Sequence, residues 1–234
     1  MAKPAGNEQR RRRERGSINA DEIVTGAFEV AAEVSLDNLS MPMLAKHLGV
    51  GVTSLYWYFR KKDDLLDAMA DRALHEYNYT DPSIDAENWR ESLRKHARTM
   101  RQTFHNDPVL CDLILIRGTY SRGAARNALE KIESPVAALV QAGLSPEDAF
   151  DTYAAIAVHT RGSAVLERLQ DKMAQPTANS DRLIDEESMP LIAEVAKKGH
   201  RIGAADDINF DLILDSILDR AERLIAGERS DQEG

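Results

Sequence analysis

A chain of 234 residues with 43% hydrophobic and 29% charged positions has the make-up of a soluble globular protein, not of a disordered or fibrous one. No apolar run approaches the roughly 20 residues that span a bilayer, and the Arg-rich start lacks the apolar segment of a secretory signal, so a cytoplasmic protein with no membrane partner is expected. The formal charge of −9 argues against a nucleic-acid partner until it is divided along the chain: residues 1–62 carry ten Lys/Arg against seven Asp/Glu, so that end holds +3 and the remainder −12.

From Met1 to about Gly16 the chain is polar and without apolar periodicity, and Arg10, Arg11, Arg12, Arg13 and Arg15 follow almost without interruption. Residues 1–16 read as a disordered basic arm. A first helix should begin at Asn19, which can cap the free amides while Glu22 closes a capping box. Ile23, Ala27, Val30, Ala31 and Val34 give it one buried stripe, and Gly26 weakens it slightly.

The next helix is short. Ser40 is its natural N-cap, Pro42 fits its first turn, and Gly49 can adopt the left-handed conformation that ends it. A tight break at Gly49-Val50-Gly51 leads to a second short segment, Thr53 to Phe59. Leu55 and Phe59, four apart, can both turn inward, which leaves Thr53, Ser54, Tyr56, Trp57 and Tyr58 on the other side. Asp63 is expected to cap a longer helix whose apolar side is Leu65, Leu66, Met69, Ala73, Leu74 and Tyr77.

Beyond residue 80 the pattern stays helical. Asp85 precedes a helix with Trp89, Leu93, Ala97, Met100 and Phe104 on one stripe. Asp107-Pro108 starts another that Gly118 can end. The lone cysteine, Cys111, excludes a disulfide framework or a cysteine-rich zinc site, and among Val109, Leu110, Leu113 and Ile114 it reads as a small core side chain. Periodicity predicts a helix from about Ala124 to Ala142, with a kink or break at Pro135. Ser145-Pro146-Glu147-Asp148 opens a long helix through about Met173. A polar loop at 175–187, a helix from Pro190 to Lys198 and a final helix capped by Asp207 complete the chain. That last helix places Phe210, Ile213, Leu214, Ile217, Ala221 and Leu224 on a wide apolar face. No strand alternation is visible, so the fold class is all-α.

Two short helices joined by a glycine turn and supported by a preceding helix form the helix-turn-helix pattern, whose second short helix enters a major groove. Such a unit needs compact packing on one side, here Leu44, Leu48, Val50, Leu55 and Phe59. On the other it needs groups that meet phosphates and base edges, here Thr53, Ser54, Tyr56, Trp57 and Tyr58. Lys62, near a helix N-terminus, is placed to meet a phosphate together with free backbone amides.

The stretch from Leu39 to Ala70 resembles the DNA-binding domain of the TetR family, on Leu-Gly-Val at 48–50, Leu-Tyr-Trp-Tyr-Phe at 55–59 and Lys-Lys-Asp-Asp-Leu-Leu-Asp-Ala at 61–68. The resemblance implies DNA contacts at Ser40, Thr53, Ser54, Tyr56, Trp57, Tyr58 and Lys62. It implies a three-helix DNA-binding domain at 17–64, a connecting helix at 65–79, a ligand-binding and dimerisation domain at 80–228 and a disordered tail at 229–234. Val52 and Pro42 stand where base-reading polar residues would be expected, so the operator sequence should differ from that of the family member most resembled.

More weakly, the resemblance extends to residues 78–170 and implies a ligand site with Asn78, His96, Met100, Phe104, Ile116, Thr119, His159 and Glu167. His159 and Glu167 stand eight apart, about 80° around one helix. Ile116 occupies the position of a magnesium-binding histidine and cannot ligate a hard cation. Metal-dependent recognition therefore does not carry over, no metal or other cofactor is expected, and the effector should be a small, largely apolar molecule. The implied function is a ligand-responsive repressor, not an enzyme, that binds palindromic double-stranded operator DNA as a homodimer. Two rival readings are a constitutive architectural DNA-binding protein and a helical enzyme acting through His159 and Glu167.

Overall fold

The computed structural model describes residues 18–76, 83–119, 121–173, 184–200 and 206–227. Among the described residues the chain is all-α, with no strand. Helix α1 (Ala20–Val34) is opened by the expected capping box: Asn19 Oδ1 accepts the Glu22 amide at 2.8 Å and the Glu22 carboxylate accepts the Asn19 amide at 3.1 Å. In α2 (Met41–Leu48) the Ser40 hydroxyl accepts the Met43 amide, and Gly49 ends the helix at φ 69°. Gly26 has a packing reason, since a Cβ there would lie 2.7 Å from Cδ2 of Leu48. Glycine lets α2 settle close against α1.

The second short helix is shorter than its hydrophobic spacing predicts. Only Val52–Tyr56 forms α3, after which a turn carries the chain on, with the Tyr58 and Phe59 amides both donating to the Leu55 carbonyl. Leu55 and Phe59 are buried all the same. Helix α4 spans Lys62–Glu76, so Asp63 lies inside its first turn instead of capping it, and Asp64 accepts the Lys61 amide at 3.2 Å.

Helix α5 (Trp89–Asn106) leads through an Asp107 cap into α6 (Pro108–Cys111), which continues as a π-helical segment, Asp112–Arg117, and ends at Gly118 with φ 61°. Hydrophobic spacing gives no sign of that widened turn. Helix α7 (Arg122–Gln141) continues through Pro135 without the break that is one of the two outcomes expected there. Pro135 is buried, and that burial offsets part of the cost of the one hydrogen bond that its missing N–H removes. Helix α8 (Pro146–Lys172) starts from the predicted Ser145 cap. Helix α9 spans Pro190–Lys197. The last helix, α10 (Asp207–Ile225), is capped one residue earlier than expected, by Asp206, whose carboxylate accepts the Asn209 amide at 2.7 Å.

Three apolar clusters hold these helices. The first joins α1 to α4 and includes Val109 and Leu113 from the α6 region. In the second, Leu93 and Ala97 of α5 and Leu139 of α7 meet Tyr153 and Ile156 of α8 and Phe210, Leu214 and Leu218 of α10. The third lies between them, with Ala73 of α4 against Met100, Phe104, Leu110, Cys111 and Ala164. Helix α8 is the central element of the larger half, packing on α5, α7 and α10.

Candidate nucleic-acid interface and ligand-binding half

The recognition segment divides its side chains as its spacing requires. Leu55 is fully buried, while Trp57 is 84% exposed and Tyr56 and Tyr58 are each about half exposed. Thr53 is exposed and Ser54 half-buried on the same segment. A planar, exposed indole flanked by two phenols offers apolar area and hydroxyls in one place. Ser40 is half-buried at the head of α2, its oxygen already engaged with the Met43 amide.

Two of the implied contact residues also hold the unit together. The Tyr58 hydroxyl donates to the Ile18 carbonyl at 2.7 Å, tying the entry of α1 to the end of the recognition segment. Lys62 Nζ donates to the carbonyls of Leu36 and Asp37 at 3.2 and 3.1 Å, which leaves one ammonium N–H for a phosphate. The loop it grips follows Ser35, which takes a positive φ of 74°, and Asn38 Nδ2 donates to the Val34 carbonyl at 3.0 Å within the same turn.

The implied ligand residues are dispersed. Asn78 lies outside the described residues. Met100 and Phe104 are buried in the cluster between the two halves. His96 stacks on Tyr153, and its Nε2 is buried with no hydrogen-bond partner. Burial, reinforced by the positive charge of Arg161, lowers its pKa to about 4. Thr160 Oγ1 on α8 is likewise buried and unpartnered. Ile116 is partly exposed on the π-helical segment, and the Thr119 hydroxyl donates to Asp67 of α4 at 3.3 Å.

His159 and Glu167 are placed on different tasks. His159 donates from Nε2 to the Phe210 carbonyl at 3.0 Å and stacks on that ring at 4.7 Å. Glu167 accepts from Arg101, including a 2.8 Å bond from Nε, and lies 3.6 Å from Nδ1 of His105. Arg101 also covers the Phe210 ring at 4.6 Å and reaches Asp207 at 2.7 Å. Glu167, Arg101, His105, Asp207 and Phe210 line an open cleft of about 660 Å³ that also takes in Arg98, Gln102 and Asp211. Of the implied ligand residues Glu167 alone borders it, and its walls are charged where the expected effector is apolar.

Sequence reading missed the ion pairs that cross between the halves. Asp112, 2% exposed on the π-helical segment, accepts both arms of Arg168 at 2.9 and 2.8 Å and lies 3.1 Å from Lys172. Lys172 reaches on to Asp37 in the α1–α2 loop at 2.8 Å, and this holds the Asp37 carboxyl below the usual carboxylate range. Arg117 pairs with Asp67 of α4 at 2.6 Å. The partners are 50 to 135 residues apart in the chain, and no local pattern announces them.

Residues 23–69 match the family described as "Bacterial regulatory proteins, tetR family", and residues 81–223 match "Tetracyclin repressor-like, C-terminal domain". An "HTH-type transcriptional repressor" of Mycobacterium tuberculosis is 56% identical over 222 residues, covering 93% of this chain and 85% of that one. The class A tetracycline repressor protein of Escherichia coli is 31% identical over 158 residues, 67% of this chain and 70% of its own. Among solved structures, Streptomyces coelicolor ActR in complex with actinorhodin superposes with a TM-score of 0.65 at 25% identity, over 92% of this chain and 100% of that one. With both halves matched, one after the other, the chain belongs to the tetR family of bacterial regulatory proteins.

Proposed function

We propose that the chain is a transcriptional repressor that binds a palindromic operator as a homodimer and is released by a small-molecule effector. The observation that carries the DNA-binding part is the division of one short segment into buried Leu55 and Phe59 and exposed Tyr56 and Trp57, beside Thr53, Ser54 and Lys62. Phosphate contacts would set the docking and the hydroxyls would read base edges. The relative from Mycobacterium tuberculosis is named a repressor, which supports the direction of regulation.

Dimerisation is supported by α8 and α10, which leave Val158, Leu166, Leu212 and Ile213 exposed. Between the two helices lies a cleft of about 380 Å³, lined by Thr152, Ala155, Ile213 and Ile217 among others. A twofold pairing along these helices would set two recognition segments about one DNA turn apart. Effector control is supported by the buried, unpartnered His96 Nε2 and Thr160 Oγ1, polar atoms that a small, mostly apolar ligand with a hydrogen-bonding group would satisfy. Solved neighbours in complex with actinorhodin and with minocycline give the same direction. Effector and operator would then favour different arrangements of the two halves, so each weakens the other.

The test is a gel-shift assay on the DNA upstream of the chain's own coding region, with and without a panel of uncharged aromatic compounds. Retarded duplex that at least one compound releases is the expected result. Release that is unaffected in His96→Leu would remove His96 from the effector site, and binding that no compound weakens would leave a constitutive DNA-binding protein.

A further inference from the structure

We infer that Lys172, at the C-terminal end of α8, is a positioning residue for operator binding: through Asp37 it fixes the α1–α2 loop against which Lys62 sets its ammonium. The inference rests on the operator-binding reading above and adds to it a residue that touches no DNA.

The loop supplies the first argument. Ser35 leaves α1 at φ 74° and ψ 159°, a region occupied almost exclusively by glycine. A serine stays there only where its surroundings hold it. Leu36 and Leu39 are buried in the same cluster as Leu55 and Phe59. Within the turn, Asn38 Nδ2 donates to the Val34 carbonyl at 3.0 Å, and the Leu39 amide donates to the Ser35 carbonyl at 3.2 Å. Two ammonium groups complete the restraint. Lys62 Nζ donates to the carbonyls of Leu36 and Asp37, and Lys172 Nζ donates to the Asp37 carboxylate at 2.8 Å. Residue 37 thus receives both cations, one on its carbonyl and one on its side chain.

The setting of Lys172 supplies the second. Its ammonium also lies 3.1 Å from Asp112, which is buried and accepts both arms of Arg168. Arg168 and Lys172 stand one helical turn apart on α8, so one carboxylate holds both on the same face. A lysine held by a buried carboxylate is a fixed point for the loop, where one reaching from a solvated surface would be a loose tie. Lys62 is the first residue of α4, directly after the recognition segment. With two of its three N–H groups on loop carbonyls, the direction of the third follows from where the loop sits. Phosphate bonds set a protein's register on a duplex, so a displaced loop would misdirect that contact.

The experiment measures affinity of the full-length chain for a fluorescein-labelled duplex taken from upstream of its own coding region, by anisotropy. Lys172→Met and Asp37→Asn should each weaken binding by roughly three- to tenfold, and Lys172→Arg should restore it. Charge alone predicts opposite signs for the first two, since a polyanion gains from losing the Asp37 carboxylate and loses from losing the Lys172 ammonium. Both effects should vanish in a Lys62→Met background, where no ammonium is left to aim. Amide exchange at residues 35–39 of the free protein reads the restraint without DNA, and it should quicken several-fold in Lys172→Met while α1 stays protected. Tighter binding by Asp37→Asn would overturn the inference, as would losses that persist undiminished without Lys62. Unchanged affinity or unchanged loop exchange in Lys172→Met, with the natural chain binding the duplex, would overturn it alone. If the natural chain bound no duplex, the operator reading would fail and this inference with it.

Discussion

Leu55 and Trp57 sit two residues apart on one short segment and turn their side chains in opposite directions, one into the core and one to solvent. Truncation should separate their roles. Leu55→Ala removes a fully buried side chain and is expected to cost about 2–5 kcal/mol of stability in denaturant unfolding. Trp57→Ala should leave stability within about 0.5 kcal/mol and weaken duplex binding, because its ring supports nothing inside the protein. Lys62 is a poorer probe, since removing its ammonium also frees the Leu36 and Asp37 carbonyls. His96 gives a pH signature. Its folded pKa of about 4 lies below the ordinary value of 6.5, so between those limits the unfolded chain binds more protons and stability rises with pH. The contribution is complete above pH 6.5 and is lost as pH falls toward 4, amounting to about 3 kcal/mol. Thermal melts should show that dependence flattened in His96→Gln; an identical profile would place the titration elsewhere.

At the scale of elements, the π-helical segment and the C-terminal end of α8 meet the α1–α2 loop through one chain of charges, from Arg168 to Asp112, Lys172 and Asp37. Asp112 is the buried member, and replacing it with Ala leaves two cations facing each other without their carboxylate. Such a loss is expected to cost about 3–5 kcal/mol, measurable by chemical unfolding. Lys172→Met should be milder on stability, because the Asp37 end is exposed, yet it severs the link to the loop that Lys62 holds. Operator affinity or its sensitivity to effector should shift in that variant. An unchanged response on both counts would mean the charge chain is structural only. Helix starts in this chain were readable because a cap is a local event: Asn19, Ser40 and Ser145 each bond an amide three residues on. The π-helical turn and the unbroken passage through Pro135 were not, since each depends on what packs against the helix.

For the whole molecule, association should follow from the exposed apolar residues of α8 and α10. Placing Arg at Val158 and at Leu212, which are 73% and 64% exposed, should leave the monomer folded and abolish dimers in sedimentation velocity. Operator binding should fall with it, because two half-sites are then met independently. A dimer that survives both changes would put the interface elsewhere. Of the apolar face expected on the last helix, Phe210, Leu214 and Ala221 enter the core and Ile217 and Leu224 pack against it, while Ile213 is left outside.

The all-α class, the helix-turn-helix and its outward aromatic run were determined by sequence alone, because periodicity, caps and turn glycines act over three or four residues. The site in the larger half was not determined in that way. Its implied residues separate into a buried seam at His96, Met100 and Phe104, a bridge to α4 at Thr119, and a charged cleft at Glu167. Which side chains share a surface there depends on how α5, α8 and α10 cross, and the ion pairs from Asp112 to Asp37 join positions far apart in the chain. Only tertiary packing decides such pairings, since the free energy of a buried charge depends on the groups that fold around it.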